Sequence, residues 1–413
     1  MAGNPFGVGY ASAETIILLA KETTRGTAPT APTSIFPTKA PKYKPNRVYF
    51  QQDVLEGSMV KTYGVTPGQR YDGHGWDSYI WLDSFPNLLV AELGSPDTMT
   101  AAPTATTLSV AATAGATSIS TAASIAAGSW ITLGTVGHGD VETHQTGTPT
   151  GTGPYTIPLD TALNYNHASG AAVTGLTSHQ FSLLNNVGQG NQPPSFSIWD
   201  FAGGDAPGNG WRLLTAAQLD ELTIKGAADA LVDYTCTWFA NPAVAPATAP
   251  SGLVTDAATP VPSWTTSLVI TPAGGTATQY TDVEDFQINF KRDVKPIPAL
   301  TGTEEYFMYF AGPIDTTGNS FTVIEQANAP ELTLYENGVN CAMTFTMYDV
   351  VNGYALQIQS SSAQFVTGEL DRSKDYVEAK LTCDFLPTAT DATAGGVSPV
   401  LVTVANSVAT AYN

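Results

Sequence analysis

The chain has 413 residues and a formal net charge of −20, from 16 Lys and Arg against 36 Asp and Glu, with 43% hydrophobic and only 13% charged residues. That length supports two or three domains with apolar cores and needs no disulfide staples, and the apolar fraction excludes a wholly disordered chain. The acidic balance excludes a protein that grips nucleic acid by neutralising phosphates with clustered Lys and Arg.

The charge is unevenly spread. Residues 1–70 hold eight bases (Lys21, Arg25, Lys39, Lys42, Lys44, Arg47, Lys61, Arg70) against four acids, a local +4 that leaves −24 for the rest, and no Lys or Arg lies between Arg70 and Arg212. Such asymmetry gives the basic arm, residues 1–50, an acidic partner within the molecule or on a neighbouring copy, or leaves it simply solvated.

In chain order, the first convincing element is a helix in DSFPNLLVAELG. Asp83 or Ser84 is placed to cap its free N–H groups, Pro86 falls in the first turn, Leu88, Leu89 and Leu93 share a face, and Gly94 ends it. The pattern predicts a short amphipathic helix packed on a sheet. Just before it, Trp76, Tyr79, Ile80 and Trp81 offer aromatic surface for a core or for an intersubunit contact. Residues 101–175 are rich in Ala, Thr, Ser and Gly, with Asp140, Glu142 and Asp160 the only charges. Short β-capable pieces recur there at 107–110, 117–120, 129–133, 141–145, 155–159 and 171–173, which predicts a small β-domain inserted at 98–178.

From Leu183 onward, alternation returns: Leu222 and Ile224 against Glu221 and Thr223; Tyr234, Cys236 and Trp238 against Thr235 and Thr237; Phe286, Ile288, Phe290 and Arg292 against Asp285, Gln287, Asn289 and Lys291. A strict period of two marks sheets with one dry and one wet face. Asn337-Gly338 and Asn352-Gly353 read as hairpin turns, residues 241–262 as a proline-bearing surface loop, and LVTVAN near the end as a last strand. The fold class expected is all-β, mainly antiparallel, with one short α-helix, as a main domain over 1–97 and 179–413 (with a C-terminal extension at 387–413) and an inserted small β-domain.

Catalytic chemistry is thinly provided. Cys236, Cys341 and Cys383 are odd in number, widely spaced and in strand-like runs, which points to reduced core thiols, and no CxxC suggests a zinc site. The run Ile16–Ala20 is too short for a signal peptide or membrane span and no basic region precedes it, so folding in a reducing cytoplasm is expected. His138 and His144, with Asp140 and Glu142 between them, match no strong metal template, and polar histidines in loops are expected to be exposed. His74, in YDGHGWD, reads as part of a glycine turn. No nucleophile elbow, P-loop or dinucleotide fingerprint occurs, and the acids at 282–285 and 304–305 read as solvated faces. No enzyme, metal or cofactor is expected.

Two blocks carry a resemblance. SAETIILLAKETTRGTAPTAPTSIFP followed by VLEGSMVKTYGVTPGQRYDGHGWDSYIWLDSFPNLLVAELG, and later QLDELTIKGAADALVDYTCTWFANP with DVEDFQINFKRDVKPIPALTGTEEYFMYFAGP, resemble the major tail tube proteins of long, non-contractile-tailed bacteriophages. The stretch TTLSVAATAGATSIS with AAGSWITLG and YTIPLDTALNYNHASGAAV is similar to a small β-domain that recurs as an add-on in phage structural proteins.

The resemblance implies a β-sandwich or barrel subunit that forms hexameric rings stacked into a tube, with the inserted domain outside. The tube would hold a tape-measure protein in its lumen, meet tail terminator and distal tail proteins at its ends, and pass double-stranded DNA during injection without binding it specifically. The protein would be a virion component assembled in the host cytoplasm. An acidic wall would let phosphates slide past. Lys39, Lys42, Lys44 and Arg47 become candidate inter-ring contacts, and Glu221, Asp285, Gln287 and Asn289 candidate lumen-facing residues. The alternative from another class is a secreted or surface β-domain adhesin or carbohydrate-binding module. A carbohydrate-active enzyme is a third reading, for which no acid pair can be named.

Overall fold

The computed structural model describes residues 15–52, 64–185, 192–201, 210–250, 258–280, 282–300, 302–324, 331–393 and 395–412. Strands β1 (Ile16–Lys21), β2 (Ser34–Phe36), β3 (Lys42–Gln51) and β4 (Val65–Tyr79) precede helix α1 (Pro86–Leu93). Next come β5 (Thr98–Thr100), β6 (Thr106–Thr107), β7 (Ser118–Thr121), β8 (Trp130–Leu133), β9 (Glu142–Gln145), β10 (Tyr155–Pro158) and the long β11 (Ala172–Ser182). The remainder is β12 (Phe196–Phe201), β13 (Trp211–Ala227), β14 (Asp233–Ala240), β15 (Ser267–Pro272), β16 (Thr278–Tyr280), β17 (Val283–Lys291), β18 (Lys295–Ile297), β19 (Met308–Phe310), β20 (Asn319–Ile324), helix α2 (Glu331–Glu336), β21 (Cys341–Asp349), β22 (Tyr354–Asp371), β23 (Glu378–Phe385) and β24 (Leu401–Asn406). The protein is mainly antiparallel β, and α2 joins the one expected helix.

Two sheets enclose the main core. The first runs β3–β4–β14–β13–β17–β20–β23 and ends on the C-terminal half of β22. The second runs β16–β15–β21, the N-terminal half of β22, β24, β11 and β5. Strand β22 belongs to both, with a register shift between Phe365 and Thr367 where it passes along β23. The dry residues foreseen from the alternation, Tyr234, Trp238, Ile288 and Phe290 among them, join Trp76 and Phe321 of the same sheet in one apolar cluster with Leu268, Met343, Phe345, Ile358 and Val402 of the second. Trp76 and Trp238 stack at 5.9 Å and Phe286 meets Phe345 at 5.7 Å, geometries that add about 0.5–1.5 kcal/mol per pair to burial itself. All three cysteines are buried and unbridged.

A smaller sheet, β2–β1–β12 and the N-terminal part of β13, holds a second cluster of Leu18, Ala20, Trp199 and Trp211. The described part of the basic arm thus contributes three strands, β1, β2 and β3, with Arg25 and Lys39 in the connections between them. Beneath this sheet, Glu22 is buried and its carboxylate accepts Gly26 N, Ser195 Oγ, Ser197 Oγ and Ala216 N at 2.7–2.9 Å. Ala216, at φ 52°, is where β13 leaves this sheet for the larger one.

Residues 106–173 have their own core of Leu108, Ile119, Ile131, Leu133, Ile157, Leu163 and Val173. It is built on β6, β8, β9 and the first residues of β11, with β7 and β10 paired beside them. Strand β11 then continues without a break into the main sheet alongside β24. The module also docks sideways: Thr132 and Thr143 hydroxyls both donate to the Gly353 carbonyl, at 2.9 and 2.6 Å, and Gly137 N donates to Val351 O at 2.8 Å. Gly353 (φ 70°) closes the β21–β22 hairpin, as Asn352-Gly353 foretold, and a Cβ there would lie 2.3 Å from Thr132 Cγ2.

Several local expectations are corrected. Helix α1 starts at Phe85 with no side-chain cap, because the Asp83 carboxylate instead accepts Ala258 N at 3.0 Å. It is buried on every side except at Asn87 rather than amphipathic, although Gly94 ends it in the left-handed conformation (φ 81°) as expected. Asn337-Gly338 ends α2 instead of forming a hairpin, Gly338 N donating to Tyr335 O. His74 lies within β4, so YDGHGWD is a strand, and Gly75 is needed there because a Cβ would sit 2.7 Å from Cys236 O.

Candidate functional surfaces and a junction cleft

Beyond Asp72, β4 leaves β14 and pairs with β3 alone, so residues 46–51 and 65–71 form a two-stranded ribbon. A lone hairpin is marginal in water, and this one is braced by Ala299, Glu304 and Glu305. Gln69 Nε2 donates to Ala299 O (3.0 Å) and Glu305 O (3.3 Å), Arg70 N donates to Glu304 O (2.8 Å), and Arg47 ion-pairs with Glu304. The ribbon presents apolar groups to solvent: Tyr49 is 61% and Phe50 59% exposed, joined by Val48 and Val65, with Leu300 and Phe307 on the bracing segment. The Phe50 ring lies over Gly68, where a Cβ would be 2.6 Å away. The outer edge of β3 has no strand partner among the described residues. Sequence inspection weighed the charges of KYKPNRVYFQ and passed over its apolar end, the signal that marks this surface.

The four candidate contact residues divide. Lys39 Nζ lies 3.5 Å from the Asp233 carboxylate and 3.5 Å from the centre of the Tyr79 ring, and Arg47 pairs with Glu304, so both find acidic partners within the chain. Lys42 and Lys44 are exposed on β3 and have no carboxylate within ion-pair distance among the described residues.

The four candidate lumen residues do share one face, and it is the face of Lys42 and Lys44. Across the ladder Lys42 aligns with Gly75, Thr237, Glu221 and Lys291; Thr235 aligns with Thr223 and Asn289; Asp233 with Lys225, Gln287 and Ser320; Asp285 with Thr322, Lys380 and Glu369. Asp285 is exposed, while Glu221, Gln287 and Asn289 are half-buried. On this face Lys42, Lys44, Lys225, Lys291 and Lys380 stand among Asp77, Glu221, Asp233, Asp285, Glu369, Asp371 and Asp384. The wet face thus carries both signs, with carboxylates in excess of lysines.

Much of the acidity lies inside. Glu22, Asp72, Glu92, Glu142, Asp200, Glu331, Asp349, Glu378 and Asp391 are buried, whereas Arg292 is the only buried Lys or Arg among the described residues. Several do the work of caps in a chain with long loops. Asp349 accepts Thr259 N and Val351 N at 3.0 and 2.9 Å, and Asp391 accepts Ser361 N at 2.7 Å.

The histidines follow the same logic, against the expectation of exposed loop histidines. His74, His144, His167 and His179 are all buried. Each faces a carboxylate: His74 Nε2 is 3.4 Å from Asp200, His179 Nδ1 2.6 Å from Asp97, and His167 Nε2 2.6 Å from Glu142. His144 lies 3.3 Å from both Glu142 and Asp160. Burial alone would lower the His144 pKa, but its hydrogen bonds to Asp160 and Glu142 outweigh that and push it up to about 9. Among the described residues no group of three or more His, Cys, Asp or Glu side chains is arranged to hold a metal ion, and His138 is exposed and apart from the others.

The cluster borders a cleft of about 590 Å³ between the inserted module and the main body. The module contributes β9 and the loop 161–165, the body Trp264–Ser267, Gln279, Tyr280, Tyr348 and Val350. No protein-family model matches the chain, and a search of curated proteins finds no similar sequence.

Proposed function

We propose that the chain is a structural virion protein, a tail tube subunit of a long, non-contractile-tailed bacteriophage that assembles into stacked hexameric rings. The antiparallel fold supports this reading, and one observation carries its assembly step: the braced β3–β4 ribbon, which holds Tyr49 and Phe50 in water beside an unpaired strand edge. Exposed edges and contiguous apolar surface are liabilities in a monomer and assets in a subunit whose neighbours cover them. Lys42 and Lys44, on the same strand and without a carboxylate partner among the described residues, suit contact with acidic positions of the next copy. The tape-measure protein would occupy the lumen, terminator and distal tail proteins the tube ends.

A wet face of mixed sign with an excess of carboxylates suits a DNA conduit. Its lysines alternate with carboxylates, so successive phosphates meet no run of positive charge and gain little by counterion release. Sedimentation velocity over a concentration series tests the assembly step. Wild-type protein is expected to form large species as concentration rises, and a Tyr49→Ser/Phe50→Ser variant to remain a monomer with an unchanged melting temperature. Equal assembly by that variant would remove the ribbon from the account.

A further inference from the structure

The cleft between module and body has the construction of a ligand site. Its two rims are aromatic and come from different parts of the chain: Trp264, 65% exposed, from the body, and Tyr165, 38% exposed, from the module. Both are held in place. Trp264 sits in a 3₁₀ turn in which the Thr265 hydroxyl donates to Pro262 O (2.7 Å) and to Tyr348 O (3.1 Å). The Glu142 carboxylate accepts Asn164 N at 2.7 Å and Tyr165 N at 3.3 Å, while His144 Nδ1 lies 3.1 Å from Thr161 Oγ1. A buried Glu–His pair thus fixes the loop that carries Tyr165. An indole presented to water from an ordered turn is apolar surface that a ligand can cover.

The lining indicates what that is. Gln279 and Asn164 supply exposed amide groups, Tyr348 and Tyr280 add further aromatic surface, and among the described residues no Lys or Arg lines the cleft. Its volume falls within the roughly 300–1,000 Å³ of small-molecule sites. Aromatic faces with amide donors and acceptors suit a ring that has an apolar C–H face and a rim of hydroxyls. The one carboxylate in the lining, Glu142, and the one histidine, His144, face each other at 3.3 Å, so their charges are spent on one another and, among the described residues, no lysine or arginine is left to hold an anion.

We infer that this junction cleft binds a neutral saccharide, stacked between Trp264 and Tyr165. The inference is independent of whether the chain forms tubes. Isothermal titration of the full chain with cellotetraose, chitotetraose, maltotetraose and mannotetraose tests it, with sialyllactose as the anionic arm and adenosine as a flat aromatic arm. Saturable binding of at least one neutral tetrasaccharide is expected, weakened about tenfold or more by Trp264→Ala and weaker still for sialyllactose. The exposed Gln279→Ala variant, which leaves the core untouched, is expected to lower the same affinity. Absence of binding by all four neutral sugars, wild-type affinity in both variants, or tighter binding of adenosine would overturn it.

Discussion

Arg292, on the dry side of the segment after β17, donates from Nε to the Glu92 carbonyl at 2.8 Å and from Nη2 to the Leu93 carbonyl at 3.1 Å. A side chain some 200 residues downstream thus closes the C-terminal end of α1, whose last turn contains no basic residue. The pairing explains why an arginine ends the apolar row of Phe286, Ile288 and Phe290. Arg292→Met keeps the volume but leaves helix-end carbonyls without donors in the core. We expect a loss of roughly 2–4 kcal/mol, read as a fall in the denaturation midpoint, and an unchanged midpoint would contradict this role.

The Glu92 carboxyl itself is fully buried, and burial raises its pKa to about 8; Arg292 opposes the rise and Asp220 and Glu221 add to it. Below pH 4.5 the group is neutral in both states. Between 4.5 and 8 the unfolded chain releases a proton that the folded chain keeps, so stability falls as pH rises, by up to about 1.4 kcal/mol per pH unit. Glu92→Gln is expected to flatten that slope, and urea titrations at pH 5, 6.5 and 8 measure it.

His144 acts in a higher window with the same sign. With its pKa raised from 6.5 to about 9, it contributes stability that is complete below 6.5 and is lost as pH rises to about 9. His144→Asn is expected to remove this loss and to loosen the loop 160–165, seen as faster amide exchange at Asn164 and Tyr165.

Glu22→Gln tests the buried carboxylate as a backbone clamp. The carboxylate serves four donors, and an amide in either orientation turns its NH₂ toward the backbone N–H of Gly26 or Ala216. A cost of roughly 2–4 kcal/mol is expected, with the β1–β12 sheet losing hydrogen-exchange protection first.

Lys42→Glu/Lys44→Glu separates assembly from folding. Neither lysine has a carboxylate partner among the described residues, so the melting temperature is expected to hold while assembly weakens and becomes more salt-sensitive. Reversing Lys39 and Arg47 instead is expected to cost about 0–1 kcal/mol of protomer stability, because these two already pair with Asp233 and Glu304.

What the sequence revealed divides along physical lines. Period-two alternation located the dry residues of β13, β14 and β17 because burial of one face acts on neighbouring residues of one strand. Pro86 and Gly94 bracketed α1 because their backbone constraints are local. Its burial on nearly every side was not legible, since that depends on β11 and β13 closing over it. Nor were the carboxylate–histidine contacts, whose members are up to 126 residues apart, as in His74 with Asp200. Net charge misled for the same reason: composition counts Asp349 and Asp391 with the surface acids, although both are spent on loop N–H groups in the interior. The junction cleft is assembled from residues 141–165, 264–280 and 348–350, and no window of sequence contains it.

Negative-stain microscopy of the purified full chain, as concentration and salt are raised, separates a tube subunit from a monomeric protein. Rings or tubes with a central hole are expected, lost in the Tyr49→Ser/Phe50→Ser variant. A monodisperse monomer under every condition would contradict the tube subunit and would favour a binding module instead.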